Sequence, residues 1–162
     1  MGLDMYLDGH HYYGGQWKDD SHENPNCHHS LEIGGKFAEE HELTPGKINE
    51  VVSYVGYWRK ANHIHGWFIT NCADGVDNCQ RTYVSKDDLS KLVKVCKEVV
   101  ELLEAEEYDA VEELLPPLEG FFFGEYDVTS EWYKKDTEDT IKQLEPVIEN
   151  EKLDSFYYTA SW

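Results

Sequence analysis

The chain has 162 residues, with 33 acidic residues against 14 Lys or Arg, a net charge of −19, and 14% aromatic residues that include 11 Tyr and 5 Trp. This length suits one ordinary domain with a real core, and so many aromatics exclude disorder over the whole length. The charge argues against direct nucleic-acid binding, because affinity for phosphate backbones comes from neutralising cations; it suits a basic partner instead.

Residues 2–7 alternate Leu3, Met5 and Leu7 with Asp4 and Tyr6, which predicts a strand with one buried face. Residues 8–30 are rich in Gly, His, Asn and Asp without periodicity and are expected to form a long loop. The whole of 8–46 is expected to be a loop-rich, variable insertion, holding only a short strand at Leu31-Glu32-Ile33 and a turn at Thr44-Pro45-Gly46. The β-branched run 48–55 predicts a second main strand. Gly56 is expected to separate it from a helix over about 57–71, because Trp58, Ala61, Ile64 or His65, and Phe68 recur at helical spacing. Asp74-Gly75 marks a turn, and 81–84 a short extended piece.

Ser85 with Asp88 forms a capping-box signature ahead of Leu89, Leu92, Val93, Cys96, Val99, Val100 and Leu103, which predicts a long amphipathic helix. A short helix is expected over 108–115, closed by Pro116-Pro117, and a buried strand over 120–124. Thr129 or Ser130 caps a third long helix built on Trp132, Tyr133, Ile141, Leu144 and Val147 or Ile148, in which Pro146 should act as a kink or a stop. Residues 155–162 read as a final strand. Strands and helices that mix without regular alternation predict a single α+β domain over 1–162, with a partly antiparallel sheet packed against about three main helices.

No stretch approaches the roughly 20 apolar residues that a membrane span needs, and no secretory signal opens the chain, so no membrane association and a cytoplasmic location are expected. Cys27, Cys72, Cys79 and Cys96 lack CxxC spacing and are expected to be reduced thiols.

Charge is uneven: 18 of the 33 acidic residues but only 4 of the 14 cations lie from Val99 onward. Tyr57, Trp58, Arg59, Lys60, Asn62, His63, His65 and Trp67 therefore form a dense polar and aromatic group in the nearly balanced part of the chain. Arg holds a phosphate or carboxylate through two parallel hydrogen bonds, Lys adds a point charge, and the aromatic rings can stack on a base. On one helix, Arg59, Asn62 and His63 would share a face, with Trp58, Asn62 and His65 on the next. Asp4 and Tyr6 join them as candidates, Asp4 to orient Arg59 or a histidine. The plainer alternative buries Trp58, Ile64 and Phe68 and pairs Arg59 and Lys60 with carboxylates.

His10, His11, His22, Cys27, His28, His29 and His41 are possible zinc ligands, but adjacent histidines do not point the same way, and neither a metal nor a cofactor is expected. His63 or His65 could act as a general base in a hydrolase; no GxSxG, HExxH, Walker loop or GxGxxG supports an enzyme. The acidic runs 101–113 and 131–151 could instead imitate DNA phosphates on a basic host protein.

The start Gly2-Leu3-Asp4-Met5-Tyr6-Leu7, the segment 57–62 with His65 and Trp67, Gly120-Phe121-Phe122-Phe123-Gly124 and the aromatic end 157–162 together resemble a family of small phage and bacterial proteins to which no activity is assigned. The resemblance implies a bacterial or phage protein acting in the cytoplasm, that of the host if phage-encoded. The expected function is binding of a small anionic, nucleotide-like ligand, in one version sequestering a host defence signal. The alternatives are an acidic inhibitor of a basic host protein and a His-based hydrolase.

Overall fold

The computed structural model describes residues 2–12, 31–33, 39–40, 46–48, 50–118, 120, 127–153 and 155–162. A four-stranded antiparallel sheet is built from β1 (Asp4–Tyr12), β4 (Glu50–Arg59), β5 (Thr82–Val84) and β6 (Ser155–Ser161), in the order β4-β1-β6-β5. Two short strands, β2 (Leu31–Ile33) and β3 (Gly46–Ile48), pair separately. Helices α1 (Asn62–Cys72), α2 (Lys86–Glu104), α3 (Tyr108–Leu114) and α4 (Glu131–Glu149) complete the α+β fold among the described residues. No helix among them is long and apolar enough to cross a membrane.

The alternation at the start of the chain does what the period of two requires. Leu3, Met5 and Leu7 are fully buried, while Tyr6 is exposed on the opposite face. The strand does not stop at Leu7, however: β1 runs on to Tyr12, inside the expected loop. It pairs with β4 on one side and with β6 on the other, so neighbours satisfy its backbone and outweigh the poor strand propensity of Asp, Gly and His. The strand over 31–33 is present, whereas residues 121–124 of the strand expected over 120–124 and most of the loop over 8–30 lie outside the described residues.

The largest correction falls on residues 57–61. They are not helical: β4 continues through Tyr57, Trp58 and Arg59, and the helix begins only at Asn62. Gly56 is therefore no separator. It lies inside the strand beneath Trp58, where an added Cβ would sit 2.6 Å from the indole Cη2. Glycine here makes room for a large ring two positions away on the same face. The corner is made by Lys60, which adopts φ 61° while its N–H donates to the Leu3 carbonyl at 2.8 Å.

Ser85 caps α2 with the full reciprocal capping box to Asp88, and Leu89, Leu92, Val93, Cys96 and Val99 are buried at the predicted spacing. Ser130 caps α4, which continues through Pro146 to Glu149 rather than ending there. A proline in the last turn forfeits one bond that the rest of the helix and its packing can spare. The core lies between the sheet and the helices, with Trp58, Phe68, Tyr133, Phe156 and Tyr158 among its large members.

Candidate functional site

The strand–corner–helix geometry splits the candidate residues into two groups. Tyr57, Trp58 and Arg59 end β4, an edge strand of the sheet, Lys60 follows at the corner, and α4 runs beside the strand. Gln143 Oε1 accepts the Tyr57 backbone N–H at 2.8 Å, and Thr140 Oγ1 accepts the Trp58 indole N–H at 2.8 Å. Both bonds tie the helix to the strand edge. Between them opens a cleft of about 370 Å³ lined by Tyr57, Trp58, Arg59, Lys60, Trp132, Lys135, Asp136, Asp139 and Gln143.

The cleft lining carries three cations, Arg59, Lys60 and Lys135, against two carboxylates, Asp136 and Asp139. The Arg59 side chain is 67% exposed and reaches Asp4 only at 4.0 Å. Among the described residues, neither Lys60 nor Lys135 has an ion pair; Lys135 Nζ lies 5.0 Å over the Trp132 ring instead. Asp139 is held by Lys142 at 3.2 Å. Burial and the neighbouring Asp139 push the Asp136 carboxyl up to about 6, against the opposing pull of Lys135. Asp4 lies opposite Arg59 in the sheet and accepts the Tyr57 hydroxyl at 2.6 Å, a bond that raises the Tyr57 pKa. Tyr6 packs on Tyr57, with ring centroids 5.3 Å apart. Trp132, which fits the apolar spacing of a core position, is instead 56% exposed and lines the cleft with Lys135, a placement that no local spacing signals.

Asn62, His63, His65 and Trp67 sit elsewhere. All belong to α1 and are buried, so they do not share a helical face with Arg59 or Trp58. His63 stacks on Tyr133 at 4.0 Å and bonds Thr137 through Nε2 at 3.2 Å. Burial pushes its pKa down to about 3. His65 Nδ1 meets the Tyr158 hydroxyl at 2.6 Å, and Nε2 meets Asp77 at 3.1 Å. Burial lowers the His65 pKa, and the bond to Asp77 only partly opposes it. Both rings are buried and bonded to neighbouring side chains, away from the open cleft. Trp67 packs edge-on against Phe68 at 5.5 Å.

Of the possible zinc ligands, His10 and His11 are described. His10 is held by Glu50 and by Arg81 at 2.7 Å, and His11 by the Lys152 carbonyl. His22, Cys27, His28, His29 and His41 lie outside the described residues. Cys72, Cys79 and Cys96 are free thiols, and burial pushes Cys72 up to about 11 and Cys96 up to about 12, the opposite of an activated thiolate. No protein-family model, curated protein or solved structure matches the chain.

Proposed function

We propose that the cleft between β4 and α4 binds a small anionic, nucleotide-like ligand. The observation that carries this reading is the convergence of Arg59, Lys60 and Lys135 on one open cleft, three cations against Asp136 and Asp139, with Asp4 no nearer Arg59 than 4.0 Å. Arg59 and the two lysines would hold a phosphate or carboxylate. The exposed Trp132 ring supplies a stacking surface, and Asp136 an acceptor for the N–H groups of a base. In a bacterial host the protein would act by sequestering such a ligand, a host defence signal being the version that the phage resemblance suggests. Isothermal titration against a panel of mono- and dinucleotides is the test. Arg59→Ala should weaken binding about tenfold or more, as loss of a charge-assisted contact does. No binding at all, or equal binding by the variant, would sink the reading.

A second reading is favoured by a different observation. Around the turn between α2 and α3, Glu101, Glu106, Glu107, Asp109, Glu112 and Glu113 are all exposed, and among the described residues the nearest ion pair is Lys134 to Glu104 at 3.9 Å. An acidic lobe of this kind would dock on a basic host protein. It predicts that Glu112→Lys with Glu113→Lys abolishes the interaction while Arg59→Ala leaves it intact.

A further inference from the structure

The sheet has a second aromatic group, of which the cleft uses only Tyr57. Its outward positions follow from the register. Tyr6 pairs with Tyr57; Asp8 pairs with Tyr54 on one side and Tyr157 on the other; Tyr157 pairs in turn with Tyr83. The inward positions Met5, Leu7, Phe156 and Tyr158 are buried against the helices, so these residues populate the face that the helices leave open. Tyr54 is 82% exposed, Tyr83 56% and Tyr57 47%. The rings fall into two close groups: Tyr6 lies 6.2 Å from Tyr54 and 5.3 Å from Tyr57, and Tyr83 lies 5.8 Å from Tyr157. Single exposed aromatics are ordinary, but a patch of them on one side of a sheet marks an interaction surface.

The chemistry of the face indicates what covers it. The Arg81 guanidinium already lies 3.8 Å above the Tyr157 ring, so these tyrosines accept a stacked cation. Asp8 stands half-buried between the two tyrosine groups, with its Oδ1 turned away from solvent and without a hydrogen-bond partner among the described residues. A net charge of −19 repels a second copy of the chain, a nucleic acid and an anionic bilayer alike, and draws in a basic protein.

We propose that the tyrosine face of the sheet is a docking surface for a basic protein partner, whose Arg and Lys side chains stack on Tyr54, Tyr57 and Tyr83 beside Asp8. The partner class is that of the second reading above, but the surface lies on the opposite side of the sheet from the acidic helices, so the two are separable. A fluorescein-labelled nine-arginine peptide serves as the probe, titrated by anisotropy at about physiological ionic strength to screen long-range attraction. The pair Tyr54→Ser with Tyr83→Ser, both exposed and outside the cleft, should bind about tenfold more weakly. Glu112→Lys with Glu113→Lys should change binding about twofold or less, the residual effect of distant screened charges. Wild-type affinity in the tyrosine variant overturns the proposal, as does an equal loss in both variants, which shows that the tyrosine face is not the specific determinant of binding. Loss confined to the helix variant overturns it in favour of the acidic lobe.

Discussion

At the scale of single residues, the geometry turns on Gly56 and Lys60. In the sequence, Gly56 has the look of a break between two elements. Its real task is steric, since a methyl group there would stand 2.6 Å from Trp58 Cη2 and 3.2 Å from Leu7 Cβ. Gly56→Ala should therefore cost about 1–3 kcal/mol, the usual penalty of overpacking, seen as a lower urea midpoint and altered tryptophan fluorescence. Unchanged values would mean that Trp58 has another rotamer available. Lys60 carries the other half of the corner: its positive φ costs about 1–2 kcal/mol for a residue with a side chain. Neither role is visible in a propensity or a period, because both arise from atoms that meet only once the chain turns.

Between elements, the cleft exists because α4 is tied along the exposed edge of β4. The Trp58–Thr140 bond is buried and joins residues far apart in the chain. Thr140→Val preserves shape but leaves the indole N–H without an acceptor, which should cost about 1–3 kcal/mol. An unchanged urea midpoint would show that the indole finds another partner. The capped amphipathic helix α2 was fully legible in the sequence, because its cap, first turn and apolar stripe are local. The strand-to-helix boundary at 59–62 was not. Trp58, Ala61 and Phe68 are all buried, as a helical stripe would be, yet Trp58 faces the core from a strand and the other two from the corner and the helix. Apolar spacing alone cannot separate these cases over so short a stretch.

For the molecule as a whole, pH should act chiefly through the buried histidines. In the folded protein His63 stays neutral down to about pH 3, whereas an unfolded chain protonates it below about 6.5. Acidification over that window therefore favours the unfolded state, by about 1.4 kcal/mol per pH unit for this residue. His65 acts in the same direction. Asp136, raised to about 6, works the other way between about pH 6 and 4, but its partial exposure reduces the effect. Stability should fall from pH 7 to pH 5, and His63→Gln should flatten the fall. A His63→Gln profile parallel to wild type would remove His63 as the cause.

The α+β class, the first strand's buried face, the capped helices and the net charge were all readable from the chain, since each depends on near neighbours or on simple addition. The division of the histidine-rich segment was decided by packing. Arg59 and Lys60 reach an open cleft only because β4 runs on past Gly56. His63 and His65 become core residues only because α1 starts after the corner, and Thr137, Tyr158 and Asp77 arrive from elsewhere in the chain to satisfy them. Long-range pairing leaves no local trace, so the same residues read as one site in the sequence and separate into a surface and an interior in the fold.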